Sequence, residues 1–231
     1  MLVQRISLPL SNCYLVTGAQ RILVDCGCAG DWQFLRSDLE ERGVVLRKIS
    51  AVVLTHAHFD HCGCAAFLQA EGVPVIASQH VQSSLTEGRQ EGESVLSGAA
   101  KLPLVGKLLK TSTSFPPVKA DVVVEESFDL SEFGIEGEII ATEGHTRGSL
   151  SVVLGNKSAC VGDLVMGGWL GLPPAWKPHF HPLSQDNRAA LEQMIVLRDS
   201  GIERFHVGHG DLLLASDVDR WINAELRRGK S

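Results

Sequence analysis

Thr55-His56-Ala57-His58-Phe59-Asp60-His61 packs four metal-binding side chains into six residues. Imidazole nitrogen and carboxylate oxygen are the donors that zinc, iron and manganese accept. With 9 histidines among 231 residues, an H-x-H-x-D-H string arises by chance on the order of once in a thousand chains of this composition. The stretch therefore reads as a metal site and not as a polar loop. The apolar, β-branched run Ile49–Leu54 just before it reads as a buried strand. A strand there delivers the cluster at its carboxyl end, where layered α/β domains usually carry their active residues.

Working outward, short strands are expected over Val3–Leu8, Cys13–Val16 and Arg21–Asp25, with a turn at Gly18. Asp31 is placed to cap a helix over Trp32–Arg42 that ends at Gly43. Cys62–Gln69 reads as a helix and Val73–Ala77 as the next strand. Strand patterns resume at Asp121–Glu125, Gly137–Thr142, Ser149–Leu154 and Ser158–Val161. Ser184 is expected to cap a helix over Gln185–Asp199, then a strand Arg204–Val207 and a last helix about Ser216–Arg228 follow. The order implies an α/β layered domain spanning 1–231. Residues 80–117 stand apart as an excursion of one or two short helices, either a lid or wall over the site or a packing insertion.

Composition bounds the function. The chain is 44% apolar and 21% charged with net charge −6, and its basic residues are scattered, so no nucleic-acid partner is expected. No apolar run reaches the length of a membrane span, and no export signal is visible. The six cysteines then read as reduced thiols in a cytoplasmic protein. Cys26 and Cys28, with Cys62 and Cys64, form C-x-C pairs too tightly spaced for a zinc hook, and read as packing residues.

Four further residues follow apolar runs beside a glycine: Asp25, His145, Asp163 and His209. Each alone is an ordinary strand-end polar group; together with the histidine cluster they make a ligand set. Their order, with flanks Leu23-Val24-Asp25-Cys26-Gly27, Gly144-His145-Thr146, Gly162-Asp163 and Gly208-His209-Gly210, resembles the metallo-β-lactamase superfamily from about residue 12 to 210. The resemblance implies a four-layer αββα sandwich with two divalent metal ions at one edge, zinc first, with iron or manganese as alternatives. It implies that His56, His58 and His145 bind one ion, that Asp60, His61 and His209 bind the other, and that Asp163 bridges both. Asp25 is implied to orient a ligand histidine.

Two cations about 3.5–4 Å apart bring a shared water to a pKa near 7 and polarise a carbonyl, so hydrolysis without a serine or cysteine nucleophile is expected, with Asp60 as the catalytic proton shuttle. The length resembles the glyoxalase II-like branch, which cleaves small-molecule thioesters, esters or lactones. True hydroxyacylglutathione hydrolases of that branch carry a C-terminal helical domain with basic glutathione-binding residues; with 22 residues after His209, glutathione specificity is not expected. The rival reading is a persulfide dioxygenase-like oxidoreductase with one iron on His56, His145 and Asp163. Trp169, Trp176, His179 and His181 are candidates for the substrate wall, His206 is expected to face away from the site, and a homo-oligomer is compatible with the sequence.

Overall fold

Alternation along the strands sorts the apolar side chains into three slabs, and the layers follow from that. The computed structural model describes residues 1–90, 114–168 and 173–228. Its first sheet runs β1 (Leu2–Ser7), β2 (Asn12–Thr17), β3 (Arg21–Val24), β4 (Ala51–Val53), β5 (Val75–Ser78), β6 (Val122–Val124) in spatial order. The first three strands are antiparallel and β3 to β6 are parallel. The second sheet contains β7 (Ser127–Asp129), β8 (Gly137–Ala141), β9 (Leu150–Leu154), β10 (Ser158–Gly162), β13 (Arg204–Val207) and β14 (Leu213–Leu214), ordered β14-β13-β10-β9-β8-β7. Only β10 and β13 pair in parallel there. A short antiparallel pair, β11 (Met166–Gly167) with β12 (Pro178–His179), forms a separate two-stranded sheet.

The helices are α1 (Trp32–Glu41), α2 (Phe59–Cys62), α3 (Ala65–Ala70), α4 (Gln82–Glu87), α5 (Asn187–Asp199) and α6 (Ala215–Arg228). Leu23 and Val52 point to one side and pack with Leu35 and Leu39 of α1 and Leu68 of α3. Their neighbours Ile22, Val24, Ala51 and Val53 point the other way, against Ile139, Leu150, Val152 and Cys160 of the second sheet. Ala159, Val161, Phe205 and Val207 face outward again, under Met194 and Leu197 of α5 and Val218 and Ile222 of α6. A period of two thus serves two cores at once. The result is the αββα sandwich that the sequence predicts.

Local departures have physical causes. The helix expected from Cys62 begins inside the histidine cluster at Phe59, breaks around Gly63 and Cys64, and resumes at Ala65. Asp31 does not cap α1; its Oδ2 accepts the N–H of Cys28, 2.9 Å away, in a preceding 3₁₀ turn. Asp186, not Ser184, caps α5, its Oδ1 accepting the N–H groups of Arg188 and Ala189 at 2.8 and 3.0 Å. Of the expected excursion, Gln79–Val81 and α4 are helical turns, while 91–113 lies outside the described residues. The strands β7, β11, β12 and β14 are two or three residues long, too short for alternation to show. No helix among the described residues is long and apolar enough to cross a membrane.

The sheets are tied together at one edge. Asn12 donates its Nδ2 hydrogens to the carbonyls of Val207 and Gly210 at 3.0 and 2.9 Å, and its backbone N–H to Gly208 at 2.7 Å. The Tyr14 hydroxyl donates to Val207 O at 2.7 Å. These bonds fix the turn that carries His209 against the first sheet. Asn12→Ala leaves two carbonyls of that turn short of a donor. It is expected to lower the unfolding free energy by about 1–3 kcal/mol, read from the denaturant midpoint; an unchanged midpoint removes the turn from the set of inter-sheet ties.

Candidate metal centre

The ligand candidates arrive from four strand ends. The turn after β4 carries His56 and His58, and α2 carries Asp60 and His61. The loop between β8 and β9 carries His145, Asp163 follows β10, and His209 follows β13. The structure brings all seven together. The ligand atoms of His56, His58, His145 and Asp163 lie within 4.8 Å of one another, as do those of Asp60, His61 and His209. Asp163 stands between the groups: its Oδ2 lies 3.8 and 3.6 Å from Nε2 of His56 and His145, and 3.4 and 3.3 Å from Nε2 of His61 and His209. Space for this approach comes from Gly208, where a Cβ would sit 2.2 Å from Asp163 Oδ1 and 2.6 Å from His61 Cε1.

These groups fit divalent cations. His145 Nε2 and His58 Nδ1 are 3.0 Å apart, and His61 Nε2 and His209 Nε2 are 3.4 Å apart. Two nitrogens on one tetrahedral zinc lie about 3.3 Å apart, from bond lengths near 2.0–2.1 Å. His56 Nε2 and Asp163 Oδ1 are buried without a hydrogen-bond partner, an arrangement that costs energy unless a further ligand is taken.

The outer ring nitrogens explain why the inner ones offer lone pairs. The Asp25 carboxylate accepts three hydrogen bonds of 2.8 Å, from Thr55 N–H, Thr55 Oγ1–H and His61 Nδ1–H. With its proton committed to Asp25, the Thr55 oxygen accepts from His56 Nδ1, 3.0 Å away. One carboxylate thus orients a histidine in each group, directly and through a threonine. Asp25 does this from a left-handed backbone position, φ 60°. His209 Nδ1–H donates to Leu10 O at 2.9 Å, and His145 Nδ1 lies 3.4 Å from Ser184 Oγ.

Burial, with the neighbouring imidazoles, pushes the pKa values of His56 and His145 well down; burial alone is the main cause for His58. Burial opposes the Asp163 carboxylate, but the rings of His209, His61 and His181 overcome it and hold its pKa well below the usual range. Burial opposes protonation of His61 and His209 too, but Asp163 and Asp60 overcome it and push both pKa values up, His61 well up. A cation bound at that group therefore displaces protons, since the binding state is neutral imidazole beside ionised carboxylate.

The four wall candidates separate. Trp169 lies outside the described residues. Trp176 and His179 line a groove beside α6 that contains none of the seven ligand candidates. His181, by contrast, is buried in the cluster, its Nε2 3.6 Å from Asp163 Oδ2 and its ring centroid 4.6 Å from that of His145. Burial pushes its pKa down to about 4. His206 turns away and packs edge-on against Tyr14, with centroids 5.1 Å apart. No group of candidate ligands among the described residues contains a cysteine, and burial raises the thiols of Cys26 and Cys62 well above their ordinary value. Sequence reasoning missed Leu10 and Ser184, since one contributes a carbonyl and the other reads as a helix cap.

Replacing Asp25 by Asn presents an amide where His61 needs an acceptor. Asp25→Asn is expected to weaken metal binding about 10–100-fold, measured by competition with a chromogenic chelator; unchanged affinity refutes the orienting role.

Comparison with known proteins supplies the family. A probable metallo-hydrolase of Methanocaldococcus jannaschii is 29% identical over 204 residues, covering 87% of this chain and 88% of that protein. The probable metallo-hydrolase YqgX of Bacillus subtilis is 26% identical over 160 residues, 68% of this chain and 67% of its own. Among solved structures, TTHA1623 in a di-iron-bound form superposes with a TM-score of 0.66 at 24% identity, covering 95% of this chain and 98% of that one. A metallo-beta-lactamase from Cronobacter sakazakii gives 0.67 at 20% identity over 99% and 92%. The fold is therefore shared with a protein solved in a di-iron-bound form. The family model described as the metallo-beta-lactamase superfamily matches residues 7–209, and this chain belongs to that superfamily.

Proposed function

We propose that the protein is a binuclear metal-dependent hydrolase cleaving a small-molecule thioester, ester or lactone, in the manner of the glyoxalase II-like branch. The observation that carries this reading is Asp163 Oδ2, which lies within 3.8 Å of Nε2 of His56, His61, His145 and His209 and so faces both ligand groups. His56, His58 and His145 would hold one cation, Asp60, His61 and His209 the other, with Asp163 shared. Bound there, a divalent pair supplies a water deprotonated near neutral pH and a Lewis acid for the carbonyl.

The protein's own groups do the rest. Asp60 turns Oδ2 toward His61 and His209, 3.8 and 3.5 Å away, which leaves Oδ1 to take up a proton and return it to the leaving group. A cavity of about 210 Å³ opens on the ligands, walled by Leu10, Phe59, Pro182 and Leu183. Its size and apolar walls suit a small acyl group and help exclude bulk water. All six cysteines are free, which accords with a cytoplasmic setting.

Metal content measured beside a thioester, ester and lactone panel tests the reading. Two equivalents of zinc and turnover of one panel member are expected; a single iron with thiol-dependent oxygen uptake overturns it in favour of the dioxygenase alternative. Asp163→Ala is expected to lose at least one metal equivalent and most of the activity. Survival of both removes the bridge.

A further inference from the structure

His181 enters the cluster with its polarity reversed relative to the ligand rings. Where partners are defined, the outer nitrogens of His56, His61 and His209 donate: to Thr55 Oγ1 at 3.0 Å, Asp25 Oδ2 at 2.8 Å and Leu10 O at 2.9 Å. A neutral imidazole, the form that binds a cation, has one N–H, so in that form each of these rings turns a lone pair inward. In His181 the outer Nδ1 instead accepts a hydrogen bond, from the backbone N–H of Leu183 at 3.2 Å. Its single proton must then sit on Nε2, the atom facing the site. A protonated nitrogen has no lone pair for a metal, although Nε2 lies near Asp163 and His209.

We propose that His181 is a catalytic hydrogen-bond donor and not a metal ligand: its Nε2–H meets the carbonyl oxygen of the substrate as negative charge develops there. The 3.6 Å separation from Asp163 Oδ2 is too long for a hydrogen bond, so that carboxylate does not consume the donor. His181 also lines the cavity over the ligands, with His58, Asp60 and His209. Its ring is fixed from behind. Ser184 N–H donates to His181 O at 3.1 Å, Pro182 follows it, and Phe180 before it packs edge-on against Trp221 of α6 with centroids 4.8 Å apart. A preorganised donor of this kind adds transition-state stabilisation without reorganising during the reaction. The Nδ1 acceptor also accounts for the residue order: Leu183, two positions on, places its N–H back on the ring.

The proposal rests on the hydrolase reading, but its decisive measurements need no turnover, so failure of the substrate panel and failure of this assignment are separable. In ¹⁵N spectra of the full chain, His181 is expected as the Nε2–H tautomer both without metal and loaded with zinc. An Nδ1–H tautomer in the loaded protein overturns the assignment, and this readout needs no variant. His181→Phe is expected to retain two zinc equivalents while its zinc-loaded form binds inorganic phosphate, as an oxyanion probe, at least about 10-fold more weakly. Loss of a zinc equivalent makes His181 a ligand, and unchanged phosphate affinity means that it does not face the oxyanion; either result refutes the proposal. On the panel substrate that turns over, kcat is expected to fall about 10²–10³-fold.

Discussion

The Asp25 carboxylate is the constraint on which the site depends. It is buried, it occupies a left-handed backbone position, and its three hydrogen bonds fix Thr55 and His61. A carboxylate in the interior is costly unless its oxygens are fully engaged, and here the partners are the residues that must be oriented. Thr55 passes the constraint on to His56, so two ligand groups share one reference point. The Thr55 carbonyl in turn accepts from Leu150 N–H of the second sheet at 2.7 Å, which couples ligand orientation to the packing of the two sheets.

That coupling explains why the site sits at the sheet edge. One ligand group takes His56 and His58 from the first sheet and His145 and Asp163 from the second; the other takes Asp60 and His61 from the first and His209 from the second. Neither half of the chain completes either group. The inter-sheet bonds from Asn12 and Tyr14 to the His209 turn therefore serve the chemistry as much as the fold. Any cation held there would also join the halves, so metal binding and folding stability are linked.

Much of this was legible in the sequence, for identifiable reasons. The strands around Asp25, Thr55, Asp163 and His209 are apolar enough to announce themselves, and the ligand types are rare enough that their spacing carries information. Two-residue strands such as Leu213–Leu214 leave no period to read. The start of the helix at Phe59 was hidden because its first turn is made of ligands, whose identity answers to the site and not to helix propensity. Ser184 and Asp186 are both good caps; only the folded chain shows that His145 has claimed one of them. The depth of His181 was hidden for a similar reason. A histidine between Phe180 and Pro182 carries no pattern marking its depth, which is set by Phe180 resting on Trp221, some 40 residues further along the chain.

The tautomers extend the argument from which residues are present to what each can do. Five of the rings around Asp163 are the same chemical group, yet the structure divides them by what lies behind them. Behind the ring, a carboxylate, a carbonyl or a hydroxyl whose own proton is already committed, as that of Thr55 is to Asp25, forces the lone pair forward, toward a cation. A backbone N–H behind it forces the proton forward, toward an anion. The developing charge on a carbonyl under attack needs both kinds of partner, cations on one side and a neutral donor on another. A sixth metal-facing lone pair at position 181 would only compete with Asp163 and His209 for coordination already supplied. The reversed ring supplies instead what the ligand set lacks, a fixed donor beside the cavity.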